Sequence, residues 1–457
     1  MSLIQKAFKK TPFPIQNIAI TLASTNLYRV RRGGKFKYYQ RYYNEWNNKS
    51  YDETMKEQER RLEQFLNYAQ KNSNWFAERL NGHKLKLKKL GELPLLEKKN
   101  IINNFEKIKT IDESKGVINQ TSGTTGAAMK TVMTINDMQE RWAIVDNYMQ
   151  KHGFKFGKKT AWFSGKNLIT KKDIKNGYCS HYDFINNIRF YSTFHISNEN
   201  FDTYWKSLSK YKPEFIVGFP TSVYQLCELA DSRGLRLSNP VKVFFSTSET
   251  LHPYQRELIS KVLGCKVRNH YSASEGAPII TECSSGKLHM HPLTGIFEVV
   301  DENMNPSLKG ELIVTSFTSK GTPLIRYRVG DRIAVDTSST CSCGSVFPLV
   351  KHIDGRANDF IYSPETGKVN LVNMGNAAKG ITGIVCFQVT QDLKDAVSVS
   401  VVRTKLYNSE SEDKFKTSLR ERLGQSMHIT IKYVDDIPRE KGGKFRIIKN
   451  NLNLDEL

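Results

Sequence analysis

Acid is nearly missing from the start of this chain, and long apolar runs are missing from all of it. The first fifty residues carry ten Lys or Arg and a single acid, Glu45. No stretch of about 18 apolar residues occurs, so nothing reads as a bilayer-spanning helix. The segment PFPIQNIAITLAST after Lys6, Lys9 and Lys10 is broken by Pro, Gln and Asn and lacks the continuous apolar core of a secretory signal. Cysteine is sparse: seven residues, an odd number scattered over a long chain, argue against a disulfide framework. No internal repeat or low-complexity tract is visible. These absences make the expected location cytoplasmic.

What is present is ordinary for a globular protein, with 39% hydrophobic and 25% charged residues over 457 positions, enough for two to four domains. The formal charge of +22 is not ordinary. Its densest stretch, RVRRGGKFKYYQRYY, interleaves cations with tyrosines and reads either as a solvated basic face or as a surface for an anionic membrane. Nucleic acid ranks last as a partner, because no recognised nucleic-acid module accompanies the charge.

Residues 51–70 place Met55, Leu62, Phe65, Leu66 and Ala69 at helical spacing and predict a packing helix. Short apolar runs follow: TAWFSG (160–165), EFIVGFPTS (214–222), VKVFFSTSET (241–250) and CKVRNHYSASE (265–275). Helix-like stretches separate several of them, so the expected class is α/β, with βαβ units and a largely parallel sheet. Ligands of such sheets gather beyond the carboxyl ends of the strands. After residue 284, GIFEVV and GELIVTSF suggest an antiparallel β segment. The last hundred residues read as a small α+β domain: strands IVCFQVTQ, AVSVSVVR and MHITIKYV around the helix SEDKFKTSLRERLG. DGRANDF marks the boundary, giving a large domain over 1–355, with its basic extension 1–50, and a small mobile domain over 356–457.

The stretch QTSGTTGAAMK (120–130) has the glycines and hydroxyls of a phosphate cradle but not the GK of a Walker loop; Ala127 follows Gly126. Backbone N–H groups and the Ser122, Thr124 and Thr125 hydroxyls could still nest an anion. A flexible Ser/Thr/Gly surface loop would look similar, and for the motif alone that is the better reading.

Its order with HYSASEG (270–276), PLIRYRVGD (323–331), DGRANDF (354–360) and PREKGGK (438–444) changes that reading. Together these segments resemble the adenylate-forming superfamily of acyl-CoA ligases, adenylation domains and luciferases. PLIRYRVGD, with YSTFHIS and VGFPTS, is most similar to the phenylacetate-CoA ligase branch and its CapK-like proteins, which are linked to capsule and surface polysaccharide synthesis.

The resemblance implies ATP-dependent activation of a carboxylic acid. Ser122, Gly123, Thr124, Thr125 and Gly126 would hold the β and γ phosphates, with Lys130 either a further phosphate contact or a surface charge. Tyr271, with Ser272, would lie against adenine, and Ser248 and Glu249 would edge the pocket. Glu275, beside Ser274, would bind Mg²⁺, Asp331 the ribose hydroxyls, and Arg356 ribose or phosphate. Lys444 would be the catalytic lysine, acting with Glu275 and Thr124, and Asn358 would stand at the hinge. Trp162, Phe163, Phe194, His195, Phe219 and Pro220 are candidates for the acid pocket, with core packing the alternative. Cys283, His289, Cys341 and Cys343 form a candidate structural zinc set, His291 being an alternative to His289; simple reduced cysteines stay open. Coenzyme A is the default acceptor, with an amine or hydroxyl of a sugar or amino acid as alternative. The implied setting is the inner membrane face beside lipid-linked glycans. A homodimer stays open, and the rival function is a non-catalytic scaffold of this fold.

Overall fold

The computed structural model describes residue 8 and residues 11–120, 129–165, 169–337, 340–356, 359–440 and 442–452. The chain forms two compact units, one of residues 1–24, 156–268 and 354–457, the other of residues 25–155 and 269–353.

The first unit contains the expected parallel sheet. Its strands run in the order Val243–Ser246, Phe215–Gly218, Thr160–Ser164, Ile188–Ser192 and Ser180–Asp183. The first four are mutually parallel, and the last pairs antiparallel. Every residue of Phe215–Gly218 and of Val243–Ser246 is buried, as continuous apolar runs covered on both faces should be. Helices Phe201–Tyr211, Pro220–Asp231 and Pro253–Leu263 form the crossovers. Two of them start with proline at N1, where its missing N–H costs nothing. The core joins Phe163, Tyr191, Tyr204, Ile216, Phe244 and Ile259.

Residues 361–448 have a separate core built around Phe387, Val399, Phe415 and Leu419. Ile384–Leu393 and Ala396–Arg403 pair antiparallel; His428–Tyr433 adds in parallel to the second and Ile448–Asn450 in parallel to the first. Helix Ser409–Leu423, whose N-cap Asn408 accepts from the Ser411 N–H, supplies the crossover. The α+β reading of this segment therefore holds for its three expected strands and helix, while Phe360–Ser363, Gly367–Asn370 and Ile448–Asn450 are further strands that it did not include.

In the second unit, helix Tyr51–Asn72 opens on a capping box between Ser50 and Glu53 and buries Leu62, Phe65, Leu66 and Ala69. Strands Gly295–Val300, Lys309–Ser316 and Tyr327–Asp336 pair antiparallel, as the sequence after 284 suggests. A hairpin of Gly116–Gln120 and Lys130–Thr134 pairs Gln120 with Lys130. The basic stretch is folded into packing helices there: Phe36–Trp46 buries Phe36 and Tyr43. Arg32 pairs with Asp146 at 2.7 Å, and Arg31 lies over the Trp142 ring at 4.2 Å, its pKa pushed down to about 10 by burial. Among the described residues, no helix is long and apolar enough to cross a membrane.

Candidate active site

Two groups of candidate residues take shape, one in each unit. In the second unit the adenine and ribose candidates meet directly: the Tyr271 hydroxyl donates to Asp331 Oδ2 at 2.7 Å, although the two lie sixty positions apart. Tyr271 ends strand Lys266–Tyr271, and Asp331 sits within strand Tyr327–Asp336; both are half-buried. Ser272 and Glu275 are also half-buried, whereas Ser274 is exposed with its hydroxyl 3.4 Å from Glu275 Oε2.

The loop carrying Glu275 is held by a residue the sequence reading missed. Arg141, on helix Ile135–Lys151, donates from Nη1 to the carbonyls of Gly276 (2.9 Å) and Ala277 (2.8 Å) and to Thr318 Oγ1 (3.0 Å). Its Nη2 donates to the Ala273 carbonyl at 3.3 Å. Burial lowers its pKa to about 10, partly offset by Asp137 and Glu275. Nothing in QERWAI distinguishes this arginine from a solvated one.

Lys130 pairs with Glu113 at 2.6 Å and lies 4.9 Å from the Phe105 ring centroid. Ser122, Gly123, Thr124, Thr125 and Gly126 lie outside the described residues, as do Asn358 and the side chain of Arg356.

In the first unit, the PREKGGK turn sits against strand ends. Gly443 has φ +76°, and a Cβ there would fall 2.3 Å from the Gly165 Cα; a Cβ on Gly165 would fall 1.7 Å from the Gly442 carbonyl oxygen. Only glycine permits this approach of two backbones. Glu249 is half-buried beside the turn, accepting from the Phe445 N–H (2.8 Å), the Thr221 hydroxyl (2.6 Å) and the Thr221 N–H (3.3 Å). Burial raises its pKa, and the Arg439 charge opposes that shift. Arg439 itself donates to Gln225 Oε1 at 2.8 Å. Lys444 follows on the same turn and is exposed. Ser248 is exposed, at φ +67°.

The strand-end aromatics divide. Phe163 is fully buried and stacks on Tyr191 at 4.8 Å, so the core alternative holds for it. Phe219 and Pro220 are also buried, at the start of helix Pro220–Asp231. Trp162, Phe194 and His195 are half-buried, His195 Nδ1 lying 2.9 Å from Ser192 Oγ.

Cys283, His289, Cys341 and Cys343 converge, with all four ligand atoms within 4.8 Å of one another. Cys283 Sγ lies 3.6 Å from Cys341 Sγ, and Cys343 Sγ 3.5 Å from His289 Nε2. Tetrahedral zinc implies spacings of about 3.8 Å between sulfurs and about 3.5 Å from sulfur to nitrogen. His289 Nδ1 donates to the Phe347 carbonyl at 2.9 Å, which leaves Nε2 as the free ligand. His291 is instead buried among Tyr43 and Phe347, outside the cluster.

The fold these elements build is that of the adenylate-forming CoA ligases. A 2-hydroxyisobutyryl-CoA ligase solved in the postadenylation state with R3-HIB-AMP superposes with a TM-score of 0.68 at 17% identity, covering 86% of this chain and 88% of that one. The same ligase in the thioesterification state, with 2-HIB-AMP and CoA, gives 0.57. In sequence, the chain is 29% identical to Protein CapK of Staphylococcus aureus over 98% of its own length and all of that protein's. Residues 361–451 match the CapK C-terminal domain. A phenylacetate-coenzyme A ligase of Thermus thermophilus is 29% identical over 165 residues, covering 34% of this chain and 36% of that enzyme. The resemblance drawn from the motifs, to the superfamily, the phenylacetate-CoA ligase branch and CapK, is thus borne out.

Proposed function

We propose that the protein is an AMP-forming carboxylate ligase. The observation that carries this reading is the Tyr271–Asp331 hydrogen bond, which joins the adenine and ribose candidates within a fold shared with adenylate-forming ligases. The substrate carboxylate oxygen attacks the α-phosphorus of ATP, a P–O bond forms, and pyrophosphate leaves. The acyl carbon is then attacked by the acceptor, AMP departs, and the acceptor's proton passes to solvent.

Tyr271 stacks on adenine, and Asp331 accepts from the ribose hydroxyls while Tyr271 fixes its orientation. Ser248 and Glu249 edge the pocket, Arg356 contacts ribose or phosphate, and residues 122–126 cradle the leaving phosphates. Glu275 is the Mg²⁺-associated acid, a hard oxygen ligand of the kind that ion prefers, and the ion when bound offsets charge on the phosphates. Lys444, exposed on a glycine turn, stabilises charge on the carboxylate and α-phosphate during adenylation. The small domain begins near residue 356 and carries this lysine. Trp162, Phe194 and His195 face the acid. Cys283, His289, Cys341 and Cys343 would hold a structural zinc, which would tie the TECSS and CSCG loops.

Coenzyme A is the proposed acceptor, with an amine or hydroxyl on a glycan the alternative in a capsule or surface-polysaccharide setting. The exposed cations Arg29, Lys37 and Arg41 suit a place beside an anionic membrane. Pyrophosphate release over a broad panel of acids tests the reading, with Lys444→Ala as control. Release that depends on one acid and on Lys444 supports a ligase; no release from any acid favours a non-catalytic scaffold.

A further inference from the structure

A cavity of about 480 Å³ opens in the second unit, apart from the residues assigned above. Its walls come from helices Phe36–Trp46 and Tyr51–Asn72 and from the segment after strand Lys309–Ser316. The volume is within the range of about 300–1,000 Å³ usual for small-molecule sites.

Its chemistry is specific. Tyr38 and Tyr42, one helical turn apart, both line it, their rings inclined by 24° with centroids 6.4 Å apart, which makes this side of the cavity aromatic. Both nearby glutamates are already satisfied. Glu57 accepts both arms of Arg60, at 2.6 Å each, and the Tyr42 hydroxyl. Glu140, on the cavity wall, accepts from Arg61 and from the Tyr43 hydroxyl, both at 2.6 Å. Two further cations, Lys35 and Lys320, line the cavity, and among the described residues neither is in an ion pair with a carboxylate within 4.0 Å. Asp137 senses the Lys320 charge from beyond that range. Among the described residues, the lining therefore carries two ammonium groups outside any ion pair, together with tyrosine rings.

Two ammonium groups match a dianion better than a monocarboxylate, and lysine is a common phosphate binder. Tyrosine rings suit the C–H face of a saturated, hydroxyl-rich ring, their own hydroxyls being turned to protein partners in the case of Tyr42. We infer that this cavity is a binding site for a phosphorylated sugar, with the phosphate between Lys35 and Lys320 and the ring against Tyr38 and Tyr42. The inference stands independently of the adenylation reading. Glu140 on the cavity wall is followed on the same helix by Arg141, which holds the carbonyls of Ala273, Gly276 and Ala277.

Titration calorimetry with glucose 1-phosphate, glucose, inorganic phosphate and UMP tests it on the intact chain, with saturating ATP present to occupy any nucleotide site. Saturable binding of glucose 1-phosphate is expected, with glucose and inorganic phosphate each about tenfold weaker or more. Lys35→Ala combined with Lys320→Ala should weaken glucose 1-phosphate about tenfold or more. Tyr38→Ala, at an exposed ring whose loss leaves the core intact, should weaken the sugar phosphate but not inorganic phosphate. Lys88→Ala, an exposed lysine elsewhere, should change neither. No binding of glucose 1-phosphate at millimolar concentration overturns the proposal, as does equal binding by the wild type and both cavity variants. UMP binding tighter than the sugar phosphate overturns the carbohydrate assignment.

Discussion

Replacing Arg141 by leucine removes four hydrogen bonds at once and leaves three backbone carbonyls, those of Ala273, Gly276 and Ala277, without that donor. Each bond from a charged donor is worth about 1.5–3 kcal/mol net, the 3.3 Å bond least. Removing a buried guanidinium returns part of this, because its desolvation no longer has to be offset. We expect a loss of about 3 kcal/mol, concentrated in the loop 273–277 rather than spread over the chain. Amide hydrogen exchange resolves this locally: about 3 kcal/mol corresponds to roughly a hundredfold faster exchange. Peptides covering 273–277 should lose protection by that factor, while those covering strands Ile384–Leu393 and Ala396–Arg403 stay unchanged. Because the loop carries Glu275, the KM for ATP should rise as well. A change of less than about threefold in loop exchange would show that the carbonyls find other donors at no cost and that Arg141 does not hold the loop.

Three further predictions follow from particular contacts. Elemental analysis of protein purified without chelator should find one zinc per chain, lost on Cys343→Ser; a metal-free protein of unchanged thermal stability would count against the cluster. Gly443→Ala places a methyl against Gly165 in a positive-φ turn, and should cut pyrophosphate release strongly while the far-ultraviolet spectrum stays the same; full activity would show that the turn is not held as described. Burial raises the Glu228 pKa from 4.5 to about 7, with Asp231 adding to the shift. The folded chain then keeps a proton that the unfolded chain releases at lower pH, so the contribution of Glu228 to stability is full below about pH 4.5 and is lost as pH rises to about 7. The fall should amount to about 2–3 kcal/mol and vanish in Glu228→Gln, as read by urea denaturation at about pH 4.5 and about pH 7; equal slopes for both proteins would contradict it.

Sequence periodicity made most of the fold legible, for physical reasons that can be named. Continuous apolar runs such as FIVG and VFFS fit strands covered on both faces, and the i, i+3, i+4, i+7 spacing of Leu62, Phe65, Leu66 and Ala69 fits one buried helix stripe. The metal-type cluster was legible because thiol and imidazole are few, yet choosing between His289 and His291 needed coordinates. Strand alternation alone would put both on one face; the strand ends at Met290, and His291 leaves that register to pack against Tyr43 and Phe347. Strand-end aromatics were not legible: Phe163 and Trp162 are neighbours, and only packing separates a core ring from a half-exposed one. Arg141 and the cavity at Lys35 and Lys320 left no trace in sequence, because both depend on segments far apart along the chain.

The most direct measurement is mass spectrometry of the protein incubated with ATP, Mg²⁺ and a metabolite extract. A new species with the mass of an acyl adenylate is expected, formed with pyrophosphate and absent with Lys444→Ala. Hydrolysis of ATP to ADP, or no nucleotide product at all from any extract, would contradict it.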